Sequence, residues 1–186
     1  MSIQSLNEIF DVGEFIWVKE KVSNISAVIE IDKNTEEFKV SIKNIEILTS
    51  DVQSKVINEL NGLEKGIREL FGNRYKFYLE VKITPCDKSV LDRFDKSDNN
   101  DIVIYIVNIQ DTIDNKFVTS ELERAVALSI GIKSGVYMYS GRFESGKELE
   151  RYVDKAFLGV YVKSILVDGN IKEVYVDNNS TDELII

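Results

Sequence analysis

Glu121 and Arg124 stand three residues apart in the run SELERAVALSI, a carboxylate able to act as a general base beside a permanent cation. On a helix they meet across one turn, where such a pair contributes about 0.2–0.5 kcal/mol. Glu144, Glu148 and Glu150 alternate with Arg142, Lys147 and Arg151 in a second charged grouping. It reads either as the paired carboxylates of a hydrolase or as the acidic start of a helix, which suits the helix dipole. A third grouping is aromatic. Tyr137, Tyr139, Arg142 and Phe143 form a candidate interaction surface, although the same mixture also builds ordinary core edges. Asp95–Asp101 (DKSDNND) is rich in carboxylates but lacks the glycine and closing Glu of a calcium loop, so it reads as a solvated turn.

What is missing narrows the chemistry further. The chain has no histidine, which removes the usual general base near neutral pH and the commonest zinc ligand. Ser–His–Asp and Cys–His nucleophile systems cannot be assembled. The single cysteine, Cys86, excludes an internal disulfide and any multi-cysteine metal site. The glycine-bearing runs GNRYKF and SGRFESGK lack phosphate-loop spacing. The sequence therefore assigns no catalytic residue, no cofactor and no metal ligand.

The elements that position these groups come from a chain of 186 residues, 44% hydrophobic and 30% charged, long enough for one globular domain over residues 1–186. A formal charge of −9 without a Lys/Arg run argues against a phosphate-binding surface. The expected partner is another protein, with no nucleic acid and no membrane. The first residues carry neither a basic n-region nor a long apolar run, so the expected compartment is the cytoplasm.

Three extended stretches over about 13–48 predict an antiparallel meander. Ser50 with Gln53 has capping-box spacing, and Val52, Val56, Leu60, Leu63, Ile67 and Leu70 predict one helix to Phe71. Tyr75 to Ile83 alternates apolar and polar residues as a strand does. Residues 87–94 read as a helical turn, and Ile102 to Ile109 as a strand covered on both faces. An amphipathic helix follows, with Val118, Leu122, Ala125, Val126 and Ser129 as its inner stripe. Lys147 to Leu166 reads as the last long helix, with Leu149, Val153, Ala156, Phe157 and Val160 on its apolar face. Ile171–Val176 is the final strand, and Leu184, Ile185 and Ile186 end an apolar tail.

Residues 75–165 in this order resemble the zincin-type metallopeptidases, in particular the matrixin and metzincin group with its H-E-x-x-H-x-x-G-x-x-H helix and Met-containing turn. Ser120, Arg124 and Ile130 stand at the three histidine positions, Ala127 at the glycine, and Glu121 at the general base. GVYMYSG places Met138 at the turn, and Lys147–Tyr161 matches the closing helix. The resemblance implies a scaffold whose zinc site is lost, since Ser120 is a poor ligand and Arg124 repels a divalent ion.

The expected fold is α+β, a mixed, mostly antiparallel sheet with three main helices. The expected function is a non-catalytic, zincin-like binding or interaction domain. A metal-independent hydrolase using Glu121 and nearby carboxylates stands as one alternative, and a small acidic inhibitor or immunity-type protein as another.

Overall fold

The computed structural model describes residues 3–85, 100–166 and 168–178. Cys86, the helical turn at 87–94, most of the Asp95–Asp101 loop and the apolar tail lie outside them. Helix α1 (Ile3–Ile9) leads into strand β1 (Phe15–Glu20) and the hairpin of β2 (Ser26–Ile31) and β3 (Phe38–Lys43). Helices α2 (Ser50–Asn61) and α3 (Glu64–Phe71) precede the long strands β4 (Tyr75–Pro85) and β5 (Asn100–Asp111). Then come α4 (Ser120–Ile130), β6 (Val136–Arg142), α5 (Gly146–Lys155), β7 (Val160–Ile165) and β8 (Ile171–Val176).

The α+β class is as expected, and its strands divide into two sheets. One has the order β6-β1-β7-β8, the other β3-β2-β4-β5, and every ladder within them is antiparallel. The three-stranded meander is therefore split. β1 pairs with β6 and β7, while β2 pairs with β3 and β4. The polar stretch Lys21–Asn24 carries the chain from one sheet to the other.

Each sheet buries one face under helices. Ile29, Phe77, Leu79 and Ile106 of the β3-β2-β4-β5 sheet pack with Val56 and Leu60 of α2, Ile67 of α3, and Val126 and Ala127 of α4. Ile16, Val18, Val160 and Val162 of the other sheet pack with Leu6 of α1 and with Leu149 and Val153 of α5, closed by Phe10 on Phe143 at 5.8 Å. Two apolar cores therefore lie outside, and the strands' alternate residues meet face to face between the sheets.

Several sequence expectations shift. The cap of α2 is Thr49, whose hydroxyl accepts from the Val52 amide, and not Ser50. The predicted helix over 50–71 breaks at Gly62–Leu63 into α2 and α3. On α4 the buried residues are Ser120, Glu123, Val126 and Ala127, while Leu122, Ala125 and Ser129 face outward. The largest difference is the last long helix. It stops at Lys155, Phe157 is exposed, and Val160–Ile165 is a central strand. The spacing of Val153, Ala156 and Val160 imitates a helical stripe, but β-branched Val160 and Val162 around Tyr161 favour the sheet.

Gly159 makes that switch possible. Its φ of +110° is open to glycine, and a Cβ there would overlap the Val176 carbonyl oxygen. We expect Gly159→Ala to lower the unfolding free energy by about 2 kcal/mol or more. Helical Gly66, where a Cβ meets its first neighbour at 3.9 Å, should accept Ala with a gain of up to about 1 kcal/mol. Urea titration of the two variants checks both.

Candidate functional site

The facing surfaces of the two sheets are built from strand residues that alternate with the cores. Register sets Lys163 directly opposite Glu173, and Tyr161 opposite both Lys19 and Tyr175. On the other sheet Ser26 lies opposite both Lys43 and Glu80. Helix α4 adds Glu123 from its inner side.

Two connected clusters result. In the first, Lys163 is wholly buried and donates from Nζ to Glu123 Oε1 at 2.6 Å, Asn108 Oδ1 at 3.0 Å and the Val118 carbonyl at 3.1 Å. Lys19, equally hidden, lies 3.4 Å from Glu123 and 3.9 Å from Glu173, and donates to the Val107 carbonyl. Tyr137 donates to Glu123 at 2.9 Å, and Asn108 donates to Glu173 at 3.1 Å. Burial pushes the Lys163 ammonium below its ordinary range, opposed by the Glu123 charge, and pushes the Glu173 carboxyl up.

The second cluster borders a cavity of about 260 Å³. Lys21 Nζ donates to Glu80 Oε2 at 2.8 Å and to Tyr161 Oη at 3.1 Å. Tyr161 donates to the same Glu80 oxygen at 2.8 Å, and the Val22 amide donates to Oε1 at 3.0 Å. Glu80 is 2% exposed, so these bonds replace its water. Burial and then the Glu80 charge hold the Tyr161 phenol far above its ordinary range, so it stays a donor. Ser26, Ser41, Lys43 and Tyr78 complete the polar lining, and Val28 and Leu79 supply apolar wall. The volume lies just under the range of about 300–1,000 Å³ usual for small-molecule sites, so a larger ligand would protrude. Two lysines against one carboxylate leave this wall positive in a chain of charge −9.

Of the residues singled out in the sequence, Tyr137 joins the first cluster and the others lie elsewhere. Glu121 is exposed on α4, and Arg124 stacks on the Tyr137 ring at 4.0 Å. Glu148 caps α5, accepting from the Glu144 amide at 2.7 Å in a capping box with Ser145. Of the four aromatic-surface candidates, Phe143 is buried and Tyr137 turns toward Glu123, while Tyr139 and Arg142 lie on the outer strand β6. Sequence reasoning missed Lys19, Lys21, Glu80, Glu123, Lys163 and Glu173. The one local signal was a lysine inside the largely apolar VYVKSI.

No protein-family model matches the chain, and no curated protein matches it by sequence. Solved structures do match in fold. A lysine-to-methionine mutant of Naegleria gruberi RNA ligase with AMP and Mn superposes with a TM-score of 0.65 at 13% identity, over 98% of this chain and 55% of that one. The same ligase with PPi gives 0.63 at 14% identity, over 98% and 53%. An archaeal ATP-dependent RNA ligase gives 0.64 at 14% identity, over 98% and 48%. The fold is shared with RNA ligases. The chain spans about half the length of these structures.

This finding overturns the zincin resemblance and the functions drawn from it. The non-catalytic zincin-like binding domain, the Glu121 hydrolase and the acidic inhibitor all fall with it. Locally, Met138 sits inside strand β6 rather than in a turn, and the supposed closing helix Lys147–Tyr161 stops at Lys155 and runs into β7. The expectation of no nucleic acid fails too, because the chains sharing this fold are RNA ligases. It rested on total charge, which carries no information about a local positive wall. Among the described residues, no helix is long and apolar enough to cross a membrane.

Removing one member of a buried ion pair leaves its partner unpaired, which costs about 3–5 kcal/mol. We expect Lys163→Met to show a loss of that size in chemical denaturation. Adding Glu123→Gln should recover part of it, a non-additivity above about 1 kcal/mol. The Glu173 shift gives a pH test. Its carboxyl is raised above the ordinary 4.5, so its contribution to stability is fully present below that pH and lost as pH rises through the folded value. Wild type should therefore lose stability relative to Glu173→Gln as pH rises above 4.5, as read by thermal unfolding across pH.

Proposed function

We propose that the chain binds an adenine nucleotide in the cavity between its sheets and presents the Lys21 amine to the α-phosphorus, its two lobes acting as one domain. The observation that carries this reading is the placement of Lys21 on the cavity wall, held by Glu80 and Tyr161. Structures sharing the fold hold ATP with Mn, AMP with Mn, and PPi. Those are a substrate and the two fragments of its cleavage between the α- and β-phosphorus. Such a cleavage needs a nucleophile at the α-phosphorus, and a lysine amine can form the covalent intermediate.

The step balances with the residues present. The Lys21 ammonium gives one proton to Glu80. The Nζ lone pair then forms the N–P bond, the bond from the α-phosphorus to the bridging oxygen breaks, and pyrophosphate leaves with the second nitrogen proton. Lys43 offsets phosphate charge, and the Tyr78 ring offers a flat partner to the base. Walls from two sheets keep bulk water from the phosphoramidate. The fold neighbours imply a divalent cation. Among the described residues no group of three or more His, Cys, Asp or Glu is placed to hold one, and Glu80 is the one carboxylate lining this cavity. These residues do not form a metal site of their own, and the step above uses none.

An RNA end is the acceptor that the fold neighbours favour. The cytoplasm, where nucleoside triphosphates are held, suits this chemistry. We expect the purified chain, incubated with α-labelled ATP and manganese, to gain the mass of one AMP in acid-resolved intact protein. Lys21→Ala should abolish the label, while Lys147→Ala, exposed on α5, should keep it. Full labelling of Lys21→Ala would refute the assignment.

A further inference from the structure

Lys21 is surrounded in a way that a freely reacting amine is not. Glu80 spends both oxygens: Oε2 accepts from Lys21 and from Tyr161, each at 2.8 Å, and Oε1 accepts from the Val22 amide. The Lys21 nitrogen also lies 5.6 Å from the centre of the Tyr161 ring and 5.7 Å from that of Tyr175. An aromatic face attracts an ammonium and does little for a neutral amine. The two rings face each other directly across β7 and β8, 5.3 Å apart. Both are pinned, Tyr161 by Glu80 and Tyr175 by its hydrogen bond to the Leu158 carbonyl. In this nest Lys21 donates to Glu80 and Tyr161 and is flanked by two rings.

We propose that Tyr161 and Tyr175 are positioning residues that latch the Lys21 nitrogen against Glu80 and withhold it from an incoming electrophile. The latch opens when an occupant of the cavity accepts the Tyr161 hydroxyl's hydrogen bond and so frees a Glu80 lone pair to take the lysine's proton. A sugar hydroxyl has the required chemistry, since its oxygen accepts from a phenol without carrying charge. The proposal rests on the nucleotide reading for its purpose. Its geometry stands apart from that reading, because every contact of the latch is made by this chain's own residues. Lys43 provides an internal reference: it lines the same cavity, and none of the hydrogen bonds or ion pairs that hold Lys21 reach it.

The test is site-resolved reductive methylation of the whole chain with formaldehyde and borohydride, read peptide by peptide in a mass spectrometer. Wild-type Lys21 should methylate about tenfold more slowly than Lys43, in keeping with a carboxylate bond and two ring contacts. In Tyr161→Phe with Tyr175→Leu, the gap should close to about threefold or less, on the same magnitudes. Tyr175→Phe keeps the ring while losing its anchor and should fall between them, which guards against a double variant that fails to fold. Equal rates at Lys21 and Lys43 in wild type would overturn the latch, as would variants that leave the gap unchanged. The same variants scored with α-labelled ATP separate the two readings. A higher kcat for labelling at unchanged KM supports both. Faster methylation with no AMP incorporated by any variant retains the latch and removes the nucleotide reading.

Discussion

Charge balance in a seam without bulk water is the constraint on which the rest of this molecule depends. Lys19, Lys21 and Lys163 meet Glu80, Glu123 and Glu173 between the sheets, three cations with three carboxylates. None could be buried alone, since an isolated charge in a protein interior costs several kcal/mol even after relaxation. Each therefore fixes the place of another, and together they fix how one sheet sits on the other. Such a network is weak evidence for net stability and better evidence for geometry, because only one docking of the sheets satisfies every partner.

Helix α4 ties the lobes together. Its Val126 and Ala127 belong to the core of the β3-β2-β4-β5 sheet, while Glu123, one turn earlier, reaches Lys19 and Lys163 of the opposite sheet. An apolar residue at that position would leave both lysines short of a carboxylate. The arrangement inverts a β-sandwich, in which two sheets bury apolar faces against each other. Here the apolar faces turn outward to the helices, which leaves the polar faces free to enclose a cavity.

Much of the fold was legible because most strands alternate cleanly and most helices carry their own caps. β4 follows from period-two patterning and β5 from its apolar run, and Thr119 marks a helix start by a hydroxyl that accepts from the Leu122 amide. β7 was not legible, since six residues with apolar positions at helical spacing fit either period and the choice is made by pairing with β1 and β8. The site was the least legible part. A buried lysine and a solvated one look alike in a strand that alternates, because the pattern says that a residue leaves one core and not what it meets on the other side. The partners lie 104 residues apart for Lys19 and Glu123, 40 for Lys163 and Glu123, and 59 for Lys21 and Glu80. On α4 attention fell on Glu121, the exposed carboxylate, when the buried one is Glu123.

The same seam decides what the cavity can offer an anion. Lys19 and Lys163 are covered and committed to carboxylates, so among the described residues the cations lining the cavity are Lys21 and Lys43. A triphosphate carries more charge than two ammonium groups can offset, and one of those two is already paired with Glu80. A nucleotide bound as proposed would be held through its flat base and sugar hydroxyls, with the α-phosphate at Lys21 and the remaining phosphates extending from a pocket of about 260 Å³ toward solvent and counterions. The acidity of the whole chain works in the same direction. It opposes loose attachment of polyanions to the outer surface and leaves the inner wall as the place where a phosphate is favoured.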